Sequence, residues 1–117
     1  EDDPVLGFID VGQATPGHVC LVLKRHAEDV CGLDESQAAA GFNAATRVAR
    51  AVRDAFAPEG LSIYQANGAA AGQTVFHFHL HVVPRWHGDG VPFAWPAKNP
   101  PREKLEEYAA LIRAKQT

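Results

Sequence analysis

At 117 residues, the chain is of ordinary one-domain length and can bury a moderate core, so a single domain is expected. Its 11 basic and 14 acidic residues give a formal net charge of -3, which excludes the basic field that a nucleic acid or an anionic membrane would need in a partner. With no apolar run long enough to span a bilayer, no secretory leader pattern, and only Cys20 and Cys31 as thiols, a cytoplasmic protein with reduced cysteines is expected.

Val5 to Val11 and Val19 to Leu23 are apolar runs separated by Gly12, Pro16 and Gly17, and they read as two strands joined by a turn. Cys20 sits inside the second run, where the role of a small buried apolar residue outweighs a reactive one. Asp34 with Gln37 forms a capping-box pattern, and Phe42, Ala45, Ala49, Val52 and Phe56 then recur at helical spacing as one apolar stripe. Arg47, Arg50, Arg53 and Asp54 fall on the solvated side, and Pro58, Glu59 and Gly60 stop the helix. Leu61 to Ala66 and Val75 to Val83 supply two more strands, paired as a hairpin across the loop from Asn67 to Thr74. A last helix begins near Pro101, with Leu105, Tyr108 and Ile112 facing inward. This order predicts an α+β domain: a small antiparallel β-sheet with one long central helix and a C-terminal helix.

The second strand of the hairpin carries His77-Phe78-His79-Leu80-His81. Alternate residues of a strand share a face, so the three imidazoles line one side while Phe78, Leu80 and Val82 back them with core. Such a face can be read as merely polar, as a transition-metal site, or as a site of phosphoryl chemistry in which a neutral imidazole attacks phosphorus. The third reading needs phosphate donors. Asn67-Gly68-Ala69-Ala70-Ala71-Gly72-Gln73-Thr74 offers them directly upstream, with glycines that let backbone approach an anion and uncharged donors at Asn67, Gln73 and Thr74.

His77-Phe78-His79-Leu80-His81-Val82-Val83 resembles, without a departure, the His-φ-His-φ-His-φ-φ motif (φ apolar) of the histidine triad family of nucleotide hydrolases and transferases. Phe8-Ile9-Asp10, Pro16-Gly17-His18, Lys24-Arg25-His26, Asn67, Gly72-Gln73-Thr74, Pro84-Arg85 and Gly88-Asp89-Gly90 also fall where bacterial members close to the nucleoside phosphoramidases carry such residues. One departure is Leu23, where those members commonly have proline. The other is the start: the resemblance implies about twenty further residues before Glu1, often with a Cys-x-x-Cys, so residues 1–117 read as a single such domain without that segment.

The resemblance implies a HIT-like fold and an enzyme acting at the α-phosphate of a purine nucleoside phosphoramidate, a dinucleoside polyphosphate or another adenylated substrate. His79 would attack phosphorus to form a nucleotidyl-histidine, and water would release the nucleoside monophosphate. An imidazole of ordinary pKa, about 6.5, is mostly neutral at pH 7 and available for that attack. His77 and His81 would orient His79, His18 would join the cluster through His81, and Gly72, Gln73 and Thr74 would hold the phosphate. Asp10 would accept from the ribose hydroxyls, with the cap of a turn as its plainer role, while Phe8, Ile9 and Val11 would form the base slot and Asn67 would reach ribose or phosphate.

In members with the Cys-x-x-Cys, histidines at the positions of His26 and His77 join a structural zinc. Without thiolates they make an incomplete site, so no metal and no cofactor are expected. The resemblance also implies a two-fold homodimer in which helix and strand pack against their mates. Gly88-Asp89-Gly90, Trp86 and Trp95 read either as substrate discriminators or as turn and core residues. Two alternatives come from other classes: a nucleotide-binding module that forms no adduct, and a metal-dependent hydrolase using the triad as ligands.

Overall fold

The computed structural model of the protein describes residues 3–92 and 94–116. Strands β1 (Val5–Ile9), β2 (Val19–Leu23), β3 (Gly60–Tyr64) and β4 (His79–Arg85) form an antiparallel sheet in the order β1-β2-β4-β3. Period-two alternation gives the sheet two unlike faces. Val5, Leu21, Leu23, Leu80 and Val82, with Phe78 just before β4, make the core on one of them. Helix α1 (Glu35–Phe56) covers that core with Ala44, Ala45 and Val52, small side chains that let helix and sheet approach closely. No helix among the described residues is long and apolar enough to cross a membrane.

The expected capping box is present. The Asp34 carboxylate accepts from the Gln37 amide N–H at 2.7 Å, and the Gln37 side-chain oxygen accepts from the Asp34 N–H at 3.0 Å. The helix ends at Phe56 because Ala57 turns into the left-handed region ahead of Pro58. Gly17, between β1 and β2, is held by two constraints: its φ of 98°, and the Phe56 ring, which a Cβ would meet at 2.9 Å.

Five expectations need correction. β1 stops at Ile9, since the Asp10 carboxylate accepts from Gly12 N–H at 2.9 Å and turns the chain. β4 starts at His79 instead of Val75 and continues to Arg85, because Phe78 N–H leaves the ladder for the Ala27 carbonyl at 2.7 Å. β3 and β4 do pair antiparallel as expected, but across a longer connection that contains a 3-10 turn at Ala69–Ala71. The α1 stripe runs through Gly41, Ala44, Ala45 and Val52, and Phe42, the next residue after Gly41 and so about 100° around the helix, is 60% exposed.

The fifth correction concerns α2 (Arg102–Lys115), which begins where expected. Its Leu105, Tyr108 and Ile112 do not face a core: no residue of this helix is buried, and Ile112 is 67% exposed.

Candidate active site

On the sheet face away from α1, register sets side chains in rows. Phe8, Cys20, His81 and Tyr64 are neighbours across the four strands, and Leu6, Val22 and His79 form the next row. With Asp10, Ala66 and the loop around Gly72, Gln73 and Thr74, they line a cavity of about 650 Å3 to which His77 also contributes. Its size suits a small organic ligand.

Proton positions follow from partners that can only accept or only donate. The His77 carbonyl oxygen lies 2.7 Å from His79 Nδ1, so Nδ1 carries the proton and Nε2 keeps a free lone pair. The Ala14 amide donates to His18 Nδ1 at 3.1 Å, so in the neutral ring His18 Nε2 is the N–H and donates to His81 Nδ1 at 2.8 Å. His81 is thereby left with its proton on Nε2. The His79 and His81 rings meet edge to face with centroids 5.0 Å apart. Burial, followed by the neighbouring His79 and His18, pushes the His81 pKa below its ordinary value against the pull of Asp10, which keeps the ring neutral at pH 7.

The clustered imidazoles are therefore His18, His79 and His81. His77, expected to flank His79 directly, is held through Nε2 by the Leu23 carbonyl at 2.6 Å and faces His26, with the two Nδ1 atoms 3.1 Å apart. Because His77 precedes β4, the two-residue period that unites His79 and His81 does not extend to it.

Asp10 does two things. Its Oδ1 caps the turn through Gly12, while Oδ2 lies 3.6 Å from His18 Nε2 and 3.8 Å from His81 Nδ1. Gln73 is buried with its amide fully engaged: Oε1 accepts from Gly68 N–H at 2.7 Å, and Nε2 donates to the carbonyls of Glu28 at 2.7 Å and Val75 at 3.1 Å. It thus shapes the loop, and an N–H donated to a ligand would have to replace one of the two Nε2 bonds. Gly72, with φ 98°, and Thr74 lie on the cavity wall.

Asn67 is not on that wall. Its Oδ1 accepts from Val30 N–H at 2.8 Å and its amide exchanges hydrogen bonds with Gln65, which ties the loop to a 3-10 turn at Val30–Gly32. Ile9 and Val11 also lie elsewhere: Phe8 faces the cavity, so Ile9 points to the α1 side, and Val11 is fully exposed beyond the strand end. Leu6, Val22 and Tyr64 line the cavity without having stood out in the sequence. The same alternation counted from Phe8 selects Leu6, whereas Val22 and Tyr64 emerge only from strand register.

Downstream, Arg85 and Asp89 form a two-point ion pair (2.7 and 3.1 Å), and Asp89 also accepts from Trp86 and Val91 N–H. Led by the Arg85 bond, these contacts hold the Asp89 carboxyl well below the usual carboxylate range. The Gly88-Asp89-Gly90 segment is thereby a built turn lining a separate concavity, and Trp95 is 81% exposed. Cys20 is buried, and burial followed by the charge of Asp10 pushes its thiol up to about 11. Among the described residues, the triad histidines do not form a ligand set by themselves; Asp10, Cys20 and His81 do bring ligand atoms within 4.8 Å of one another.

The HIT domain profile matches residues 1–88. "Protein hit" of Bacillus subtilis is 44% identical over 96 residues, which cover 81% of this chain and 66% of that one, so the chain spans about two-thirds of this relative's length. The crystal structure of a HIT family member from the same organism superposes with a TM-score of 0.94 at 37% identity, covering 100% of this chain and 85% of its own. A hypothetical histidine triad nucleotide-binding protein of Sulfolobus tokodaii gives a TM-score of 0.71 at 29% identity, with 97% of this chain and 78% of that chain covered. With the domain profile spanning most of its length and the fold of a solved HIT family member superposing over the whole chain, this chain belongs to the HIT family.

Proposed function

We propose that the protein binds a purine nucleotide and hydrolyses or transfers it at the α-phosphate through a nucleotidyl-histidine, on a phosphoramidate, dinucleoside polyphosphate or other adenylated substrate. The observation that carries this reading is the His79 Nδ1–H bond to the His77 carbonyl, which leaves Nε2 as a neutral nucleophile beside the cavity. In the first step, His79 Nε2 bonds to phosphorus while the leaving group departs with its electron pair and takes a proton from solvent. The adduct is cationic, and the His77 carbonyl accepting from Nδ1 stabilises it. His81 Nε2–H donates to a phosphoryl oxygen, with His18 fixing that tautomer, and the Gly72 to Thr74 loop adds polar groups. Water then displaces His79 from phosphorus, loses a proton to solvent and releases the nucleoside monophosphate.

Asp10 Oδ2 is the acceptor for ribose hydroxyls, and Leu6, Phe8 and Val22 supply the apolar wall for the base. A small-molecule nucleotide is the partner; residues 1–117 act as one domain, assembled as a homodimer.

Single-turnover incubation with a labelled adenylated substrate tests the chemistry. The expected result is an acid-labile adduct that chelator leaves unchanged and His79→Gly abolishes, with nucleotide binding kept within about tenfold because base and ribose contacts are uniform binding. Nucleotide binding without any adduct would make the chain a binding module, and loss of turnover in chelator would favour metal-dependent hydrolysis.

A further inference from the structure

We propose that Asp10, Cys20 and His81 form a site for a thiophilic divalent cation, of which zinc is the type, at the floor of the cavity, and that a bound cation shuts out the nucleoside. Their ligand atoms already lie within 4.8 Å of one another, and His81 Nδ1 is 3.8 Å from Asp10 Oδ2. A tetrahedral zinc with bonds of about 2.0 to 2.3 Å sets its ligands roughly 3.3 to 3.6 Å apart, so small side-chain rotations close the set.

The backbone holds all three in place. Cys20 is directly opposite His81 in the β2–β4 ladder. Asp10 is pinned by its N–H to the His18 carbonyl at 3.0 Å, and Gly12 N–H occupies Oδ1, leaving Oδ2 toward the imidazoles. One sulfur, one imidazole and one carboxylate select zinc-like ions over magnesium or calcium, which want oxygen ligands throughout. The cation deprotonates the thiol as it binds, and it displaces one hydrogen bond, from His18 Nε2–H to His81 Nδ1. The fourth position opens to the cavity. The histidine pair of His26 and His77 takes no part.

Exclusion follows because Asp10 is the proposed ribose acceptor, so this half of the inference rests on the nucleotide reading while the cation site stands alone. The test uses the full chain carrying Cys31→Ser, since Cys31 is an exposed second thiol. Cobalt(II) titration should give a thiolate-to-metal charge-transfer band that Cys20→Ser, Cys20→Val and Asp10→Asn each abolish in folded protein, and that His26→Ala leaves in place. A missing band, or one that survives both Cys20 variants, overturns the site. At zinc about ten times its own Kd, competition should raise the apparent adenosine Kd roughly tenfold, and in Cys20→Val the zinc effect should vanish. Unchanged adenosine affinity in the presence of a proven cobalt site overturns the exclusion. Failure of adenosine to bind in metal-free protein overturns the nucleotide reading and leaves the cation site standing.

Discussion

His79 and His81 belong to one strand, yet their surroundings give them opposite tautomers: a carbonyl oxygen takes the Nδ1 proton of one, and an imidazole N–H fills the Nδ1 lone pair of the other. The two rings therefore turn a lone pair and an N–H toward chemistry. His81 also titrates below the ordinary histidine value. In that window the unfolded chain takes up a proton that the folded chain refuses, so His81 contributes a loss of stability as pH falls from about 6.5 toward its folded pKa. A ring-proton NMR titration should place its midpoint below 6.5, and His81→Asn should flatten urea stability across the same interval. Asp10 separates into two functions by substitution. Asp10→Asn keeps an oxygen for the Gly12 cap and removes the charge, whereas Asp10→Ala removes both. Calorimetry should show nucleoside monophosphate binding weakened by about 1 to 3 kcal/mol in either variant, with melting temperature lowered mainly in Asp10→Ala. Unchanged affinity in both would return Asp10 to a capping role alone.

Local signals at element scale have measurable energies. Asp34→Ala deletes one half of the α1 capping box and should cost about 1 kcal/mol in urea unfolding, with Asp34→Asn close to neutral. Gly17→Ala should cost about 1 to 3 kcal/mol, combining a positive φ with a methyl placed against the Phe56 ring. Phe56→Ala in that background should recover the steric part, so a double-mutant cycle that came out additive would contradict the contact. The site depends on these elements indirectly. The Gly17 turn delivers His18 to the start of β2, next to β4, and α1 presses on the reverse of the same two strands.

For the whole molecule, α2 leaves Leu105, Leu111 and Ile112 at least half exposed, and α1 does the same with Phe42. Apolar faces left exposed on helices call for a partner surface, and a second copy is the one proposed above. Light scattering at micromolar concentration should give twice the 12.6 kDa chain mass. Phe42→Glu should shift the population toward the single-chain mass by burying a charge at the interface. A wild-type mass of one chain would refute the dimer.

What the sequence determined by itself is local and periodic. The Asp34 cap, the length of α1, the two local strand pairs β1–β2 and β3–β4 and the opposition of His79 and His81 to Leu80 and Val82 follow from local spacing and turn residues, whereas the β2–β4 pairing that joins the two halves of the sheet does not. Resemblance in the triad run added the family. Only the tertiary structure decided what lies across a loop: that His77 leaves the strand to bond the Leu23 carbonyl, that Gln73 clamps Gly68 to Glu28 and Val75, that Asn67 holds Val30, and that Val22 and Tyr64 share the cavity with Phe8. The physical reason is that a polar side chain near a loop bonds whichever backbone group the fold leaves unpaired, and that group is set by distant residues. The apolar stripe of α2 illustrates the same limit, since periodicity marks a face to be buried without naming the surface that buries it.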